Sequence, residues 1–151
     1  MALVEGVCFG AGVALAMACD WRVAGPGARF AITPAKLGIS YPQEDVHRLV
    51  SLVGAGQAAR LLFGAQTIDA AEAARIGLVE MAPSGNLEDT VQDVASAVIA
   101  NDPESLRVLK RGVGLTSLDI RQDDAQDRAF ETLLGSDVLS ARLAAHHARR
   151  Q

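Results

Sequence analysis

The sequence predicts an α/β fold in which short strands and helices are mixed through residues 1–83 and helices alone follow through residues 84–151. Two short β-favouring segments, Trp21–Ala24 and Arg29–Ile32, are separated by a glycine–proline turn. From Glu44 onward the apolar residues recur with the period of a helix. With 151 residues, of which 50% are apolar and 21% charged, the chain has the composition of a globular domain.

Glycines divide the first part of the chain into short elements. Leu3-Val4 is predicted to end a strand, and the small residues of Gly12–Ala18 are predicted to form a helix that another backbone can approach closely. Two prolines and Gly38 predict a loop or short helical turn over Thr33–Pro42. The two β-favouring segments lie between these elements.

The helical pattern is interrupted at positions where local signals are strong. Helices are predicted over Glu44–Val53 and Ala55–Phe63, with Gly54 ending the first. Asp69, with Glu72 three residues later, is typical of a helix start. The remaining predicted elements are a strand at Leu78–Met81, a helix from Asn86 to about Ile99, a helix opened by Asp102-Pro103, a helix over Leu118–Leu134, and a last helix from Ser136 or Asp137 to near Arg150.

Charge and composition argue against several classes of function. The net charge is −4 and no basic patch is present, which disfavours nucleic-acid binding, and Arg149-Arg150 is interpreted as a solvated helix end. The apolar run Val7–Cys19 is too short to span a bilayer, and Glu5 precedes it where a signal peptide would be basic, so a buried core helix is preferred. Cys8 and Cys19 lack metal-site spacing and are interpreted as buried thiols in a reducing, cytoplasmic compartment.

The segment Gly10-Ala11-Gly12 admits three interpretations. A dinucleotide site is disfavoured because Leu15 replaces the third glycine and Asp20 follows too soon. Backbone amides at a glycine-rich turn can also form an oxyanion hole. A tight contact between a helix and a sheet would require the same glycines, and the local chemistry alone leaves these last two alternatives open.

A wider comparison of motifs points to a known family. Val4–Asp20 resembles the signature V-x-G-x-x-x-G-G-G-x-x-L-x-x-x-C-D of the crotonase, or enoyl-CoA hydratase/isomerase, superfamily. The similarity continues through Ala28-Arg29-Phe30, Lys36-Leu37-Gly38, Arg48-Leu49, Val53-Gly54, Leu62-Phe63-Gly64, Ile68–Ala73 and Ile76–Val79. The chain therefore resembles the C-terminal portion of a member, a β/α spiral followed by a helical region.

The resemblance implies binding of a coenzyme A thioester as substrate, without a metal or a separate cofactor. Two backbone amides hold the thioester oxygen in this family, and one of them corresponds to Ala11. In the family the other amide belongs to an upstream segment, which this chain lacks. The residues that correspond to the substrate-binding surface are Phe9, Gly10, Gly12, Ala14, Thr33, Pro34, Leu37 and Gly38.

The chain departs from the family at its two proton-transferring residues. Hydratases of this family use two glutamates, and the matching positions hold Ala14 and Pro34, which carry no proton. Glu44 or Asp45, with Tyr41, is the candidate replacement, although acidic residues are also usual in the first turn of a helix. His47, His146 and His147 are interpreted as surface or half-buried residues.

Three functions remain open from the sequence. The first is an acyl-CoA enzyme that stabilises an enolate, and the second is a truncated or non-catalytic remnant that binds acyl-CoA or takes part in oligomerisation. The third is a plain structural or interaction domain. Resemblance to the family implies a homotrimer or hexamer for a full-length parent, without a nucleic-acid or membrane partner, and open strand edges predict that the isolated chain associates with itself.

Overall fold

A computed structural model describes residues 1–148 of the chain and confirms the predicted α/β class. The chain forms two compact units, of which the first is Met1–Asp93 and the second begins at Val94. The elements of the first unit are β1 (Ala2–Val4), β2 (Val7–Phe9), α1 (Ala11–Met17), β3 (Arg22–Ala24), β4 (Arg29–Ala31), a 3₁₀ turn (Pro34–Leu37), α2 (Gln43–Gly64), β5 (Ile68–Asp69) and α3 (Ala70–Arg75). The helices that follow are α4 (Leu87–Ile99), α5 (Pro103–Ser117), α6 (Asp124–Leu134) and α7 (Asp137–Ala148). The division into a partial spiral core over residues 1–83 and a helical region over residues 84–151 stays a prediction.

The strands of the first unit belong to two small sheets that the chain enters alternately. Strand β1 pairs in parallel with β3, and β2 pairs in parallel with β4, while β5 runs antiparallel to β4. Parallel pairing requires a crossover, and α1 lies between the first two strands and the next two. The register places Phe9 opposite Ala31, so the turn after β2 begins beside the end of β4.

The core of the first unit is built from side chains of both sheets and of the helices that cover them. Its largest fully buried members are Phe30, Ile32, Leu49, Leu61, Leu78, Val13, Val23 and Val79. Arg22 is also buried, and its guanidinium donates to the carbonyl oxygens of Leu78 and Cys19, both at 2.9 Å. The same guanidinium forms an ion pair with Glu80. The core therefore contains one cation, whose charge is offset by a carboxylate and by two backbone carbonyl oxygens.

Local signals predicted three helix boundaries correctly, at Gly54, Asp69 and Asn86. Gly54 has φ 76° and ψ 159°, which interrupts α2 into the two helices that the sequence indicated. Asp69 caps α3 by accepting a hydrogen bond from the Glu72 amide at 2.9 Å. In the same way, Asn86 accepts a hydrogen bond from the Glu88 amide at 3.0 Å, at the start of α4.

Three predicted elements were wrong in type or extent. Val7–Phe9 is a strand rather than part of a long apolar helix, because its backbone pairs with β4. The segment Leu78–Met81 contributes only a single bridge, from Met81 to Val23, since the amides of Leu78 and Val79 bond back to the Ala73 carbonyl. Helix α6 begins at Asp124 instead of Leu118, because Asp119 has φ 56° and Asp123 caps the helix. The interpretations made for Arg149 and Arg150 lie outside the described residues.

The second unit differs from the first in how little it buries. None of its described residues, 94–148, is buried. Large apolar side chains such as Leu109, Phe130 and Leu134 expose 64%, 60% and 59% of their surface. Its helices α5 and α6 are joined by polar contacts, among them an Arg111–Asp123 ion pair at 2.8 Å. The helices of this unit therefore form without a core of their own. No helix of residues 1–148 is both long enough and apolar enough to cross a bilayer.

Candidate functional site

The turn between β2 and α1 is held by the end of β4. Gly10 has φ 49° and ψ −115°, a conformation that residues with a Cβ rarely adopt. Its amide donates to the Ala31 carbonyl at 2.9 Å and so extends the pairing of β2 with β4. Thr33 follows closely, with its Oγ1 3.7 Å from the position that a Cβ on Gly10 would occupy. The sheet thus fixes where the turn begins.

The carbonyl oxygen of Gly10 accepts three hydrogen bonds. The amides of Val13 and Ala14 donate to it at 3.0 and 3.3 Å, and the hydroxyl of Tyr41 donates to it at 3.0 Å. This carbonyl belongs to the same planar peptide unit as the N–H of Ala11, and no peptide bond in the described chain is cis. In a trans peptide the C=O and N–H point in opposite directions. Holding the oxygen therefore fixes the direction of the Ala11 N–H, and Ala11 itself is exposed.

Tyr41 is partly buried, and burial determines its acid–base behaviour. Desolvation raises the pKa of Tyr41 to about 12, and the negative charge of Asp45 acts in the same direction. The phenol consequently keeps its proton at neutral pH and acts as a hydrogen-bond donor. A tyrosine with this pKa is poorly suited to be a general base near pH 7.

Tyr41 also lines an open groove beside the turn, of about 500 Å³. Pro34 and Gly38, two of the residues predicted to bind substrate, lie in the same groove. Its other apolar walls include Leu62 and Phe63. The groove is therefore mainly apolar, and Tyr41, which lines it, is also the residue whose hydroxyl donates to the Gly10 carbonyl.

The predicted acid–base candidates in α2 are engaged with an arginine. Glu44 and Asp45 lie in the first turn of the helix. Arg48 pairs with both carboxylates, with Asp45 at 3.1 Å and with Glu44 in a short contact. Asp45 is 15% exposed and Glu44 is 73% exposed, so of the two only Asp45 is sheltered from water near Tyr41. Their predicted catalytic role stays a prediction.

The remaining predicted residues lie in β2, in α1 and in the 3₁₀ turn. Ala14 is partly buried in α1, and Pro34 is the first residue of the 3₁₀ turn, which ends at Leu37. Gly12 faces the Sγ atom of Cys8, 3.5 Å from where a Cβ would lie, and belongs to a second groove. Phe9 is 39% exposed. The structure thus brings Gly10, Thr33 and Tyr41 together and leaves Gly12 on the other side of the turn.

Sequence reasoning missed two features of the site. The Ala31 carbonyl that holds Gly10 is a backbone contact without a side-chain signature. Phe63 is 82% exposed and lines the groove. The motif Leu62-Phe63-Gly64 served only as a family marker, although a phenylalanine beside a helix-ending glycine was a usable signal.

His47, His146 and His147 are exposed, as predicted, and Cys8 is buried while Cys19 is partly buried, both as free thiols.

Comparison with known proteins gives a consistent result. The family model for enoyl-CoA hydratase/isomerase matches residues 1–142. The chain is 38% identical over 114 residues to a short-chain-enoyl-CoA hydratase from Clostridium acetobutylicum, covering 75% of this chain and 44% of that protein. It is 37% identical to a crotonyl-CoA hydratase from Syntrophomonas wolfei, covering 73% of this chain and 43% of that protein.

Solved structures resemble the chain closely as well. An enoyl-CoA hydratase/isomerase family member superposes with a TM-score of 0.90 at 34% identity, covering 99% of this chain and 57% of that one. A putative enoyl-CoA hydratase from Thermobifida fusca, solved in complex with CoA, superposes with a TM-score of 0.72 at 31% identity, covering 95% of this chain and 53% of that one. The matched part of the chain covers less than half the length of the two curated relatives described above.

Proposed function

Because the chain belongs to the enoyl-CoA hydratase/isomerase family, we propose that it binds an acyl-CoA thioester and that the Ala11 N–H donates to the thioester oxygen. Membership confirms the resemblance seen in the sequence, and the structural neighbours confirm the crotonase-type α/β fold. The Gly10–Ala11 peptide carries the proposal, since three donors fix its carbonyl and the attached N–H belongs to an exposed residue. Such a donor stabilises the charge that grows on the oxygen as an enolate forms.

The chemistry proposed differs from that of a two-glutamate hydratase. Ala14 and Pro34 occupy the positions where the family resemblance expects the two acids, and neither side chain can transfer a proton. Asp45 is the better candidate for a replacement base, because it is 15% exposed and its charge acts on Tyr41. Enolate stabilisation with a single carboxylate is consistent with isomerase-type proton transfer.

The proposal is tested by removing one N–H while keeping the helix. Ala11 is the first residue of α1, where proline is tolerated because that amide has no partner within the helix. Ala11→Pro deletes the proposed donor, and Ala11→Ser is the matched control, which keeps the amide. The measurements are calorimetric titration with crotonyl-CoA and the infrared stretch of its thioester carbonyl.

A lower carbonyl frequency in the complex than in water is expected for the wild-type chain and for Ala11→Ser. Ala11→Pro should weaken binding by about 2- to 12-fold, the value of one hydrogen bond, and should lose most of the frequency shift. An unshifted carbonyl in the wild-type complex, or equal affinity for crotonyl-CoA and free CoA, would refute the assignment of Ala11.

A non-catalytic role is the second candidate, and it is favoured by Ala14 and Pro34, which stand where the family has its two glutamates. A remnant that only binds acyl-CoA would show the carbonyl shift without turnover. An activity panel with crotonyl-CoA and a dienoyl-CoA separates the two candidates, and Asp45→Asn, with Glu44→Gln as its exposed control, tests the replacement base. Turnover unchanged in Asp45→Asn would remove that base from the proposal.

We also propose that a full-length parent assembles into a homotrimer or hexamer, with the second unit in subunit contacts. The support is the absence of any buried residue in 94–148, together with exposed Leu109, Val113, Phe130 and Leu134. Monomeric proteins rarely leave such extended apolar surface open to water. Sedimentation of the isolated chain is expected to show self-association, and a single monomeric species across the micromolar range would contradict it.

A further inference from the structure

We infer that Tyr41 is a positioning residue: its hydroxyl orients and polarises the Gly10–Ala11 peptide whose N–H meets the thioester oxygen. This inference rests on the proposed function for its consequence, but the contact itself is a property of the free chain. The hydroxyl donates to the Gly10 carbonyl at 3.0 Å from 31 residues away in sequence. The bond therefore ties the entry to α2 to the turn before α1.

Geometry makes this contact directional. The Gly10 oxygen and the Ala11 hydrogen lie at opposite ends of one planar unit. The two helical donors, from Val13 and Ala14, approach the oxygen from within α1. Of the three donors, Tyr41 is the one from outside α1. Its bond therefore fixes the orientation of the Gly10–Ala11 peptide relative to the groove that Tyr41 lines.

Polarisation follows from the number of donors. Each hydrogen bond accepted by a carbonyl increases the polarity of its peptide unit, and chains of hydrogen bonds strengthen one another. The Gly10 carbonyl accepts three such bonds, and the only N–H in the same unit is that of Ala11. That N–H is thereby made a better donor than an isolated amide, which is what an oxyanion site requires.

The protonation state of Tyr41 agrees with its role as a hydrogen-bond donor, and the inference itself rests on the geometry. The partly buried phenol keeps its proton throughout the neutral range, so the donor is present at every pH at which the chain would be assayed. Asp45, whose charge acts on the phenol, is itself paired with Arg48 at 3.1 Å. Cys8, the other titratable group acting on Tyr41, is a buried thiol whose pKa is raised by desolvation, so it remains neutral in the same range.

The direct test compares backbone signals of the free chain. Tyr41→Phe removes one oxygen and keeps the ring. Ser40→Ala is the matched control, because it removes a neighbouring exposed hydroxyl that donates to the Tyr41 carbonyl rather than to the Gly10–Ala11 peptide. The carbonyl ¹³C signal of Gly10 and the amide ¹H signal of Ala11 are expected to move upfield in Tyr41→Phe and to stay in place in Ser40→Ala. Unmoved signals in Tyr41→Phe overturn the inference, whether or not the chain binds a thioester.

A second measurement examines the consequence for the ligand. With crotonyl-CoA as the probe, Tyr41→Phe is expected to bind within about threefold of the wild type while losing part of the infrared shift of the thioester carbonyl. A merely structural role would weaken binding without changing that shift, and this outcome overturns the inference. A wild-type complex with no shift refutes the proposed function instead, and the free-chain signals still decide the role of Tyr41.

Discussion

The ion pair between Arg22 and Glu80 offers the sharpest test of how the first unit is stabilised. Arg22 is 3% exposed, and Glu80 satisfies two of its donors: the guanidinium and, at 2.7 Å, the backbone N–H. Glu80→Gln removes the negative charge and leaves the buried cation with two carbonyl contacts. Breaking a fully buried pair costs about 3–5 kcal/mol.

The expected cost is smaller here, because water reaches one partner. Glu80 is 36% exposed, so we discount the buried value by about half and expect Glu80→Gln to lower the free energy of unfolding by about 2 kcal/mol. The matched control is Glu104→Gln, whose partner Arg107 is 75% exposed. That change should cost less than about 0.5 kcal/mol.

Urea unfolding is the assay, with fluorescence of the single tryptophan as a local probe. Trp21 directly precedes Arg22, so it reports on the affected strand. Equal midpoints for Glu80→Gln and Glu104→Gln would refute the argument that burial of Arg22 gives the pair its value. A change in the slope rather than the midpoint would instead indicate an altered unfolded or associated state.

Three further predictions concern the core, the helix interruption and the alkaline limit. Leu61→Ala, at a side chain only 1% exposed, should cost about 3 kcal/mol in urea unfolding, whereas Phe63→Ala, at one 82% exposed, should change stability by less than about 0.5 kcal/mol. Gly54→Ala should destabilise by about 1–2 kcal/mol, because φ is +76° there, while Gly56→Ala in the helical part of α2 should stabilise slightly; equal effects would contradict the backbone argument. Because the pKa of Tyr41 is raised to about 12 in the folded chain, its contribution is complete below pH 10 and is lost between pH 10 and 12. On the order of 1–2 kcal/mol of the free energy of unfolding should disappear over that window in the wild type. Tyr41→Phe should lack this loss, and parallel curves of unfolding free energy against pH for the two proteins would contradict the prediction.

Signals within a few residues of each other predicted much of the fold. Gly54 interrupts α2, and Asp69 and Asn86 cap their helices, because each of these effects involves only neighbouring backbone groups. Val7–Phe9 was not recognised as a strand, since a three-residue strand shows no period and its partner lies about twenty residues further on. Leu78–Met81 has a strand-like sequence, but its first two amides close the end of α3.

The candidate site was predictable only in part, for a related reason. The resemblance to the family identified Gly10, Ala11 and Thr33, and the structure places Gly10 and Thr33 side by side. The bond from Tyr41 to Gly10 spans 31 residues and leaves no pattern in the sequence. The ion pairs that Arg48 makes with Glu44 and Asp45, by contrast, have the i,i+4 and i,i+3 spacing of neighbours on one helix face, which the sequence does display. Long-range contacts to backbone atoms are the features that sequence reasoning misses first.

The lack of buried residues in 94–148 has a consequence for how this segment would exchange its amide hydrogens. Helices held by caps and surface contacts open individually, whereas the strand amides near Val23 and Phe30 exchange only when the first unit opens. Deuterium uptake should therefore be rapid along α5, α6 and α7 in dilute solution. If copies of the chain come together, the helical peptides that become slow to exchange will map the surface through which they do so.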